Sequence, residues 1–280
     1  MRKAYLNIAV ALSLGIASVA CTAETITIAT GQKGLTYNAV YGANLAGALG
    51  EFGNDTNIIP TKGSLENLDK VAAGEAQLGF TQADAYQFWR NTHGNEAQKV
   101  DIVGELPKEC IFVAVKDSGR INSEGDIKAG VKIAVGEPTS GSYASWQYLQ
   151  MLEPNYAKAE TYAKGGLRSL SKVATGEYDA FLWVAAAGKT NKFLDAVTQK
   201  GSGLRVIDMN GWHVNDRLPN GQAVYEKESV PVEAGMIFDT SAKVPCTKTL
   251  VVANTDAGDD LLETVSGILL KNQSRIVSSK

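Results

Sequence analysis

Two stretches gather glycines, hydroxyls and lysines where a buried strand hands over to a helix. The first is Thr25–Tyr41, TITIATGQKGLTYNAVY, with Gln32, Lys33 and Thr36 beside Gly31 and Gly34. The second is Val131–Tyr148, VKIAVGEPTSGSYASWQY, with Thr139, Ser140 and Ser142 beside Gly136 and Gly141. A helix start leaves its first N–H groups without internal partners and carries partial positive charge, so each junction suits an anion. Two facing junctions would form a clamp. Thr36 in one, and Ser140 or Ser142 in the other, are also candidate helix caps, and simple capping is the alternative role for each hydroxyl. Catalytic and metal chemistry find little support. His93 and His213 are the only histidines, each in a polar loop without a second ligand at helical or hairpin spacing, and CxxC and G-x-S-x-G patterns are absent. Gly31-Gln32-Lys33-Gly34-Leu35-Thr36 holds the ingredients of a phosphate-cradling loop in the wrong order. Neither a cofactor nor a metal is called for.

The elements that carry these loops repeat. Leu65–Ala76, LENLDKVAAGEA, lines up with Leu167–Tyr178, LRSLSKVATGEY, each a helix face closed by a glycine and followed by a strand, Gln77–Gln82 and Asp179–Val184. Ile102–Val115 reads as strands with a turn at Leu106-Pro107-Lys108, Asn210–Val244 as a loop-rich stretch, and Lys248–Ala253 as a strand. Asp259–Ile276 reads as an amphipathic helix with Leu261, Leu262, Val265, Ile268 and Leu269 on one side. The order predicts an α/β fold of two similar Rossmann-like lobes joined by a two-strand hinge. Lobe 1 spans 24–106 with 248–280 returning to it, and lobe 2 spans 107–247. The chain then crosses between lobes near Pro107–Val115 and near Cys246–Val252, and both glycine loops fall at the carboxyl ends of strands, where such sheets bind ligands.

The opening residues have another purpose. Met1–Lys3 is basic, the run from Ala4 to about Ala17 is apolar, and Ser18, Ala20, Cys21 and Ala23 are small, which is the grammar of a secretory signal peptide cut near Ala23. Export into a periplasm follows for a double-membraned source. Cys21 as the lipidated first residue of a lipoprotein is the alternative, although Ser18-Val19-Ala20 lacks the leucine usual three residues ahead of it. Losing Arg2 and Lys3 makes a chain of formal charge −3 more acidic still, which argues against nucleic acid. With Cys21 removed, Cys110 and Cys246 form an even pair that points to a disulfide in an oxidising compartment; two buried free thiols are the alternative.

ITIATGQKGLTYNAVYGANLAGAL, PTKGSLENLDKVAAGEAQLGFTQAD, IAVGEPTSGS and GEYDAFLWVAAAGK, in that order, resemble the TAXI family, the solute receptors of one class of TRAP transporter. The likeness runs from about Ile26 to Val197 and more weakly through Val244–Lys271. It implies a monomeric, type II-like periplasmic binding protein that closes on a small anionic solute such as glutamate or a dicarboxylate and delivers it to a membrane permease. By position in the resemblance and at the strand ends, the first lobe offers Gln32, Lys33, Thr36, Tyr37, Lys62, Gly63, Ser64 and Gln82. The second offers Thr139, Ser140, Gly141, Ser142, Tyr143 and Trp183, with the turn that runs on to Gly188; for Trp183, which follows Phe181-Leu182 in a strand, a place in the core is the alternative. Lys33 and Lys62 stand where the family tends to keep glycine or small residues, so they are the candidates for charge on an anion, solvated loop lysine being the alternative. Two rival functions use the same fold: a sensor input to a membrane kinase, and a periplasmic lyase, for which Glu137 is the loop carboxylate to nominate as acid or base.

Overall fold

The computed structural model describes residues 25–187, 191–209, 216–233 and 240–279. The leader Met1–Ala23 with Cys21, and Gly188, Lys189 and His213, lie outside the described residues. Among the described residues ten strands form: β1 (Ile26–Gly31), β2 (Thr56–Pro60), β3 (Leu78–Gln82), β4 (Val100–Lys116), β5 (Lys132–Ala134), β6 (Glu160–Tyr162), β7 (Ala180–Ala186), β8 (Leu204–Val206), β9 (Glu226–Glu233) and β10 (Thr240–Asn254). The helices are α1 (Ala43–Glu51), which continues a π-helical turn at Tyr37–Gly42, α2 (Ser64–Ala72), α3 (Ala83–Thr92), α4 (Gly141–Leu152), α5 (Gly166–Thr175), α6 (Lys192–Thr198) and α7 (Asp259–Val277).

The sheet runs β2-β1-β3-β10-β4-β7-β5-β6, with β9 added to β10 and β8 to β4. Its two ends have the same plan. In one, β2, β1 and β3 are parallel and β10 joins β3 antiparallel. In the other, β6, β5 and β7 are parallel and β4 joins β7 antiparallel. The expected two-lobed α/β fold is therefore present, and the long antiparallel pair β4–β10 is shared by both lobes. The repeat extends to single bonds: Lys70 pairs with Glu75 at 2.8 Å and Lys172 with Glu177 at 2.6 Å. In both copies the glutamate N–H also donates to the lysine carbonyl, at 2.9 Å. Gly74 and Gly176, at φ 75° and 83°, reverse the chain in the left-handed region that glycine tolerates.

Two expectations change. The turn expected at Leu106-Pro107-Lys108 does not form, because β4 runs unbroken through it. Lys248 pairs with Lys108 and Thr249 with Leu106, so Pro107 is the unpaired residue of a bulge; lacking an N–H, it loses no ladder bond there. The loop-rich stretch up to Val244 contains β9 and the first residues of β10. Glutamates and Pro231 obscure the alternation of β9, yet Val230 is buried against Ala242 and Val244, and a charged, proline-bearing strand suits the sheet edge. The C-terminal helix forms as expected, with Val265, Ile268 and Leu269 buried.

The core has three parts. One packs α1 and α7 against the first lobe's sheet through Leu45, Leu49, Phe80 and Ile268. A second packs Phe112, Phe181 and Trp183 under α5 and α6. The third joins the lobes, since Leu68, Tyr86 and Trp89 of α2 and α3 share it with Ile133, Trp146 and Tyr148. Helix α3 packs on α4 across the interface, so the lobes are closed on each other.

Candidate functional site

Three helix starts meet where the lobes close. Asn67 fixes the first of the loops: its side chain bonds Thr61 Oγ1 at 2.5 Å and donates to the Phe80 carbonyl at 2.7 Å, tying the turn before α2 to β3. That turn carries Gly63 at φ 144° against the loop before α4, where a Cβ would lie 2.9 Å from Ser140 Cα and 3.1 Å from the Thr139 carbonyl oxygen. The Leu65 N–H donates to that same carbonyl at 3.3 Å. Thr139 holds φ 69°, a rare state for a β-branched residue, and its Oγ1 is buried without a partner among the described residues. Ser140 caps α4 by accepting from the Tyr143 N–H at 3.2 Å, and Ser142 Oγ accepts from the Val184 N–H at 3.0 Å, fastening α4 to β7. Gln82, the residue before α3, receives a bond from Ser64 Oγ at 3.3 Å and reaches the surface of Gly141.

The structure thus brings together Gly63, Ser64, Gln82, Thr139, Ser140, Gly141 and Ser142, with Tyr143 in the first turn of α4. Tyr37 joins them from the other side, its hydroxyl donating to Glu109 Oε2 at 2.6 Å. Gln32, Lys33, Thr36 and Lys62 are exposed, and Thr36 does not cap its helix. The Lys62 backbone N–H donates to Glu66 at 2.9 Å. Trp183 is placed elsewhere than on the ligand wall expected of it. Strand alternation turns Phe181 and Trp183 toward α5 and α6, where Trp183 is 2% exposed and stacks on Phe112 at 5.4 Å and Phe181 at 5.6 Å.

Sequence reasoning missed two acids. Glu109 is a half-buried carboxylate on β4, registered opposite Ala186 at the end of β7, with Tyr37 and Gln82 bonding to it from the first lobe. Burial pushes its pKa up to about 7, the Tyr37 and Gln82 bonds resisting and the charge of Asp84 adding to the rise. Asp84 is fully buried in the first turn of α3, and burial raises its pKa too. It accepts from the Ala85 N–H and from Tyr225 Oη, both at 2.7 Å, while its own N–H donates to Thr247 Oγ1 at 3.3 Å. Tyr148 of α4 packs against Tyr225 with the rings tilted and their centroids 5.9 Å apart, and it donates to Asp216. An acid within ECIFVAV and an acid on the apolar side of a helix start were the available signals.

Tyr225 therefore ties the segment leading into β9 to the first turn of α3. Tyr225→Phe is expected to lower unfolding free energy by about 1.5–3 kcal/mol, because a bond to a buried acid is lost where water does not replace it. A urea midpoint equal to the parent's would show that Asp84 is satisfied without the phenol.

Two lobes of matching strand order, joined by the long antiparallel pair β4–β10, define a class by fold: the two-lobed architecture of the type II periplasmic binding proteins. The chain belongs to the NMT1-like family, whose sequence pattern matches residues 28–275. Solved structures share the fold. XAC2383 from Xanthomonas citri bound to ATP superposes with a TM-score of 0.58 at 9% identity, over 90% of this chain and 88% of that one. The substrate-binding protein of an ABC uptake transporter from Streptococcus pneumoniae with bound histidine gives 0.51 at 14%, over 89% and 87%. The GluR0 ligand-binding core in complex with L-glutamate gives 0.53 at 12%, over 91% and 96%. Among the described residues, no helix is long and apolar enough to cross a membrane.

Proposed function

We propose that this protein is an exported, periplasmic receptor that captures a small carboxylate-bearing solute between its lobes and delivers it unchanged to a TRAP-type permease. The lobes divide at residues 24–106 with 248–280, and 107–247, so that rotation about β4 and β10 opens the cleft. The observation that carries this reading is the approach of Gly63 to Thr139–Gly141, because it brings the starts of α2, α3 and α4 from both lobes onto one spot. The partial positive charge of these helix starts favours a carboxylate without requiring a cationic side chain, which accords with the exposure of Lys33 and Lys62.

The test is to identify by mass spectrometry what co-purifies with the mature chain, then to measure melting temperature and small-angle scattering with and without that solute. Capture by closure requires both a higher melting temperature and a smaller radius of gyration with solute. Turnover of the solute would replace the receptor by an enzyme. Uptake into vesicles bearing a TRAP permease, dependent on the receptor, tests the delivery step.

A further inference from the structure

Glu109 stands at the floor of the proposed cleft, at the junction of the two lobes. Tyr37 Oη donates to it at 2.6 Å, the Gln82 amide bonds to it, and the carboxylate of Asp84 is near enough to repel it. Among the described residues no lysine, arginine or histidine forms an ion pair with Glu109 or Asp84. The cations on the neighbouring strands are engaged elsewhere: Lys108 with Glu226 and Glu228, and Lys248 with Glu105 at 3.3 Å. The remaining titratable groups facing Glu109 are Tyr37 and Tyr41, both of which burial holds protonated well above neutral pH. An acid kept partly open to the cleft, oriented by a phenol and an amide and, among the described residues, left without a counter-charge, is complementary to a cation brought by the solute.

We infer that the solute carries an ammonium group as well as its carboxylate, and that Glu109 receives this group, releasing its own proton to solvent as the solute binds. The inference rests on the receptor reading above. The step balances as Glu109 carboxylic acid plus R-ammonium giving a carboxylate–ammonium pair and one proton in solution. The sign of the pH dependence follows. A buried acid whose pKa lies near 7 in the free protein holds about half a proton at pH 7, and the ammonium lowers that pKa in the complex. The bound state then carries fewer protons, so affinity rises with pH, about tenfold from pH 6 to pH 8, and levels off above the free-state pKa.

The experiment is titration calorimetry on the mature chain with L-glutamate and with glutarate, its counterpart lacking the amine. A thermal-shift panel of the twenty amino acids and their deaminated acids supplies the probe pair if glutamate is not bound. The expected result is tighter binding of the amine, proton release seen as dependence on buffer ionisation heat, and weakening by roughly thirtyfold or more in Glu109→Gln with loss of the pH dependence. A structural role for Glu109 would leave the proton count unchanged. Should Glu109→Gln fail to fold, the buffer dependence of the parent protein still decides. If deaminated acids bind as tightly as their amines, or no proton is released, the ammonium inference is overturned while the receptor stands. If neither set binds, the carboxylate-receptor reading itself is overturned, and this inference with it.

Discussion

Gly63→Ala is expected to hold the lobes apart and weaken solute binding by about two powers of ten or more. The three nearest atoms that the new methyl would meet all belong to the backbone at the start of α4: Ser140 Cα at 2.9 Å, the Thr139 carbonyl oxygen at 3.1 Å and Gly141 N at 3.3 Å. No rotamer change relieves such a contact, so either the loop shifts or the cleft stays open. A second effect acts in both states, since φ 144° with ψ −159° is backbone that essentially only glycine adopts, at about 1–3 kcal/mol for another residue. Gly141→Ala separates the two effects. Its backbone is not in the positive-φ region, and its methyl would meet the end of the Gln82 side chain, 1.9 Å from Oε1. Gln82 is 3% exposed and bonded to Ser64, so it must give up that bond to move, yet it is a side chain and able to. A smaller loss of affinity is therefore expected for Gly141→Ala. Scattering should show Gly63→Ala retaining the open radius of gyration at solute concentrations that close the parent. Binding within threefold of the parent would mean that these loops do not meet in the bound state.

Opening the bond between Cys110 and Cys246 is the second large effect, with an expected loss of about 2–4 kcal/mol. The bond joins residues that oppose each other in the β4–β10 ladder and lie 136 apart in sequence, so it removes a long loop from the entropy of the unfolded chain. Both side chains are buried, against Val230 and Val244 among others, and replacement by alanine loses little packing beyond the sulfurs. The Cys110→Ala, Cys246→Ala double variant should unfold in less urea, and added reductant should lower the parent's midpoint but leave the variant's unchanged. Solute affinity should change by less than about threefold, because the bond fastens the two crossing strands to each other and leaves their rotation free. Equal urea midpoints for parent and double variant would refute the stabilising role.

Local chemistry made much of this protein legible. The repeat K-V-A-x-G-E specifies the same helix end twice, because a lysine–glutamate pair and a left-handed glycine act within six residues of one another. Short apolar runs placed β1, β3, β5 and β7, hydroxyls before apolar periodicity placed the start of α4, and the even pair of cysteines left beyond the leader indicated the disulfide. Tertiary structure decided which of these residues meet. Pro107 breaks a strand by its own propensity, yet the long pairing of β4 with β10 keeps the strand whole and absorbs it as a bulge. Trp183 and Val184 are equally suited to a strand, and only the side on which α5 and α6 pack decides that Trp183 is core. Glu109 looks like an isolated acid beside a cysteine until register sets it opposite Ala186 and folding brings Tyr37 and Gln82 to it from far along the chain. Register and docking are set by contacts between distant segments, and no window of sequence contains both sides of such a contact.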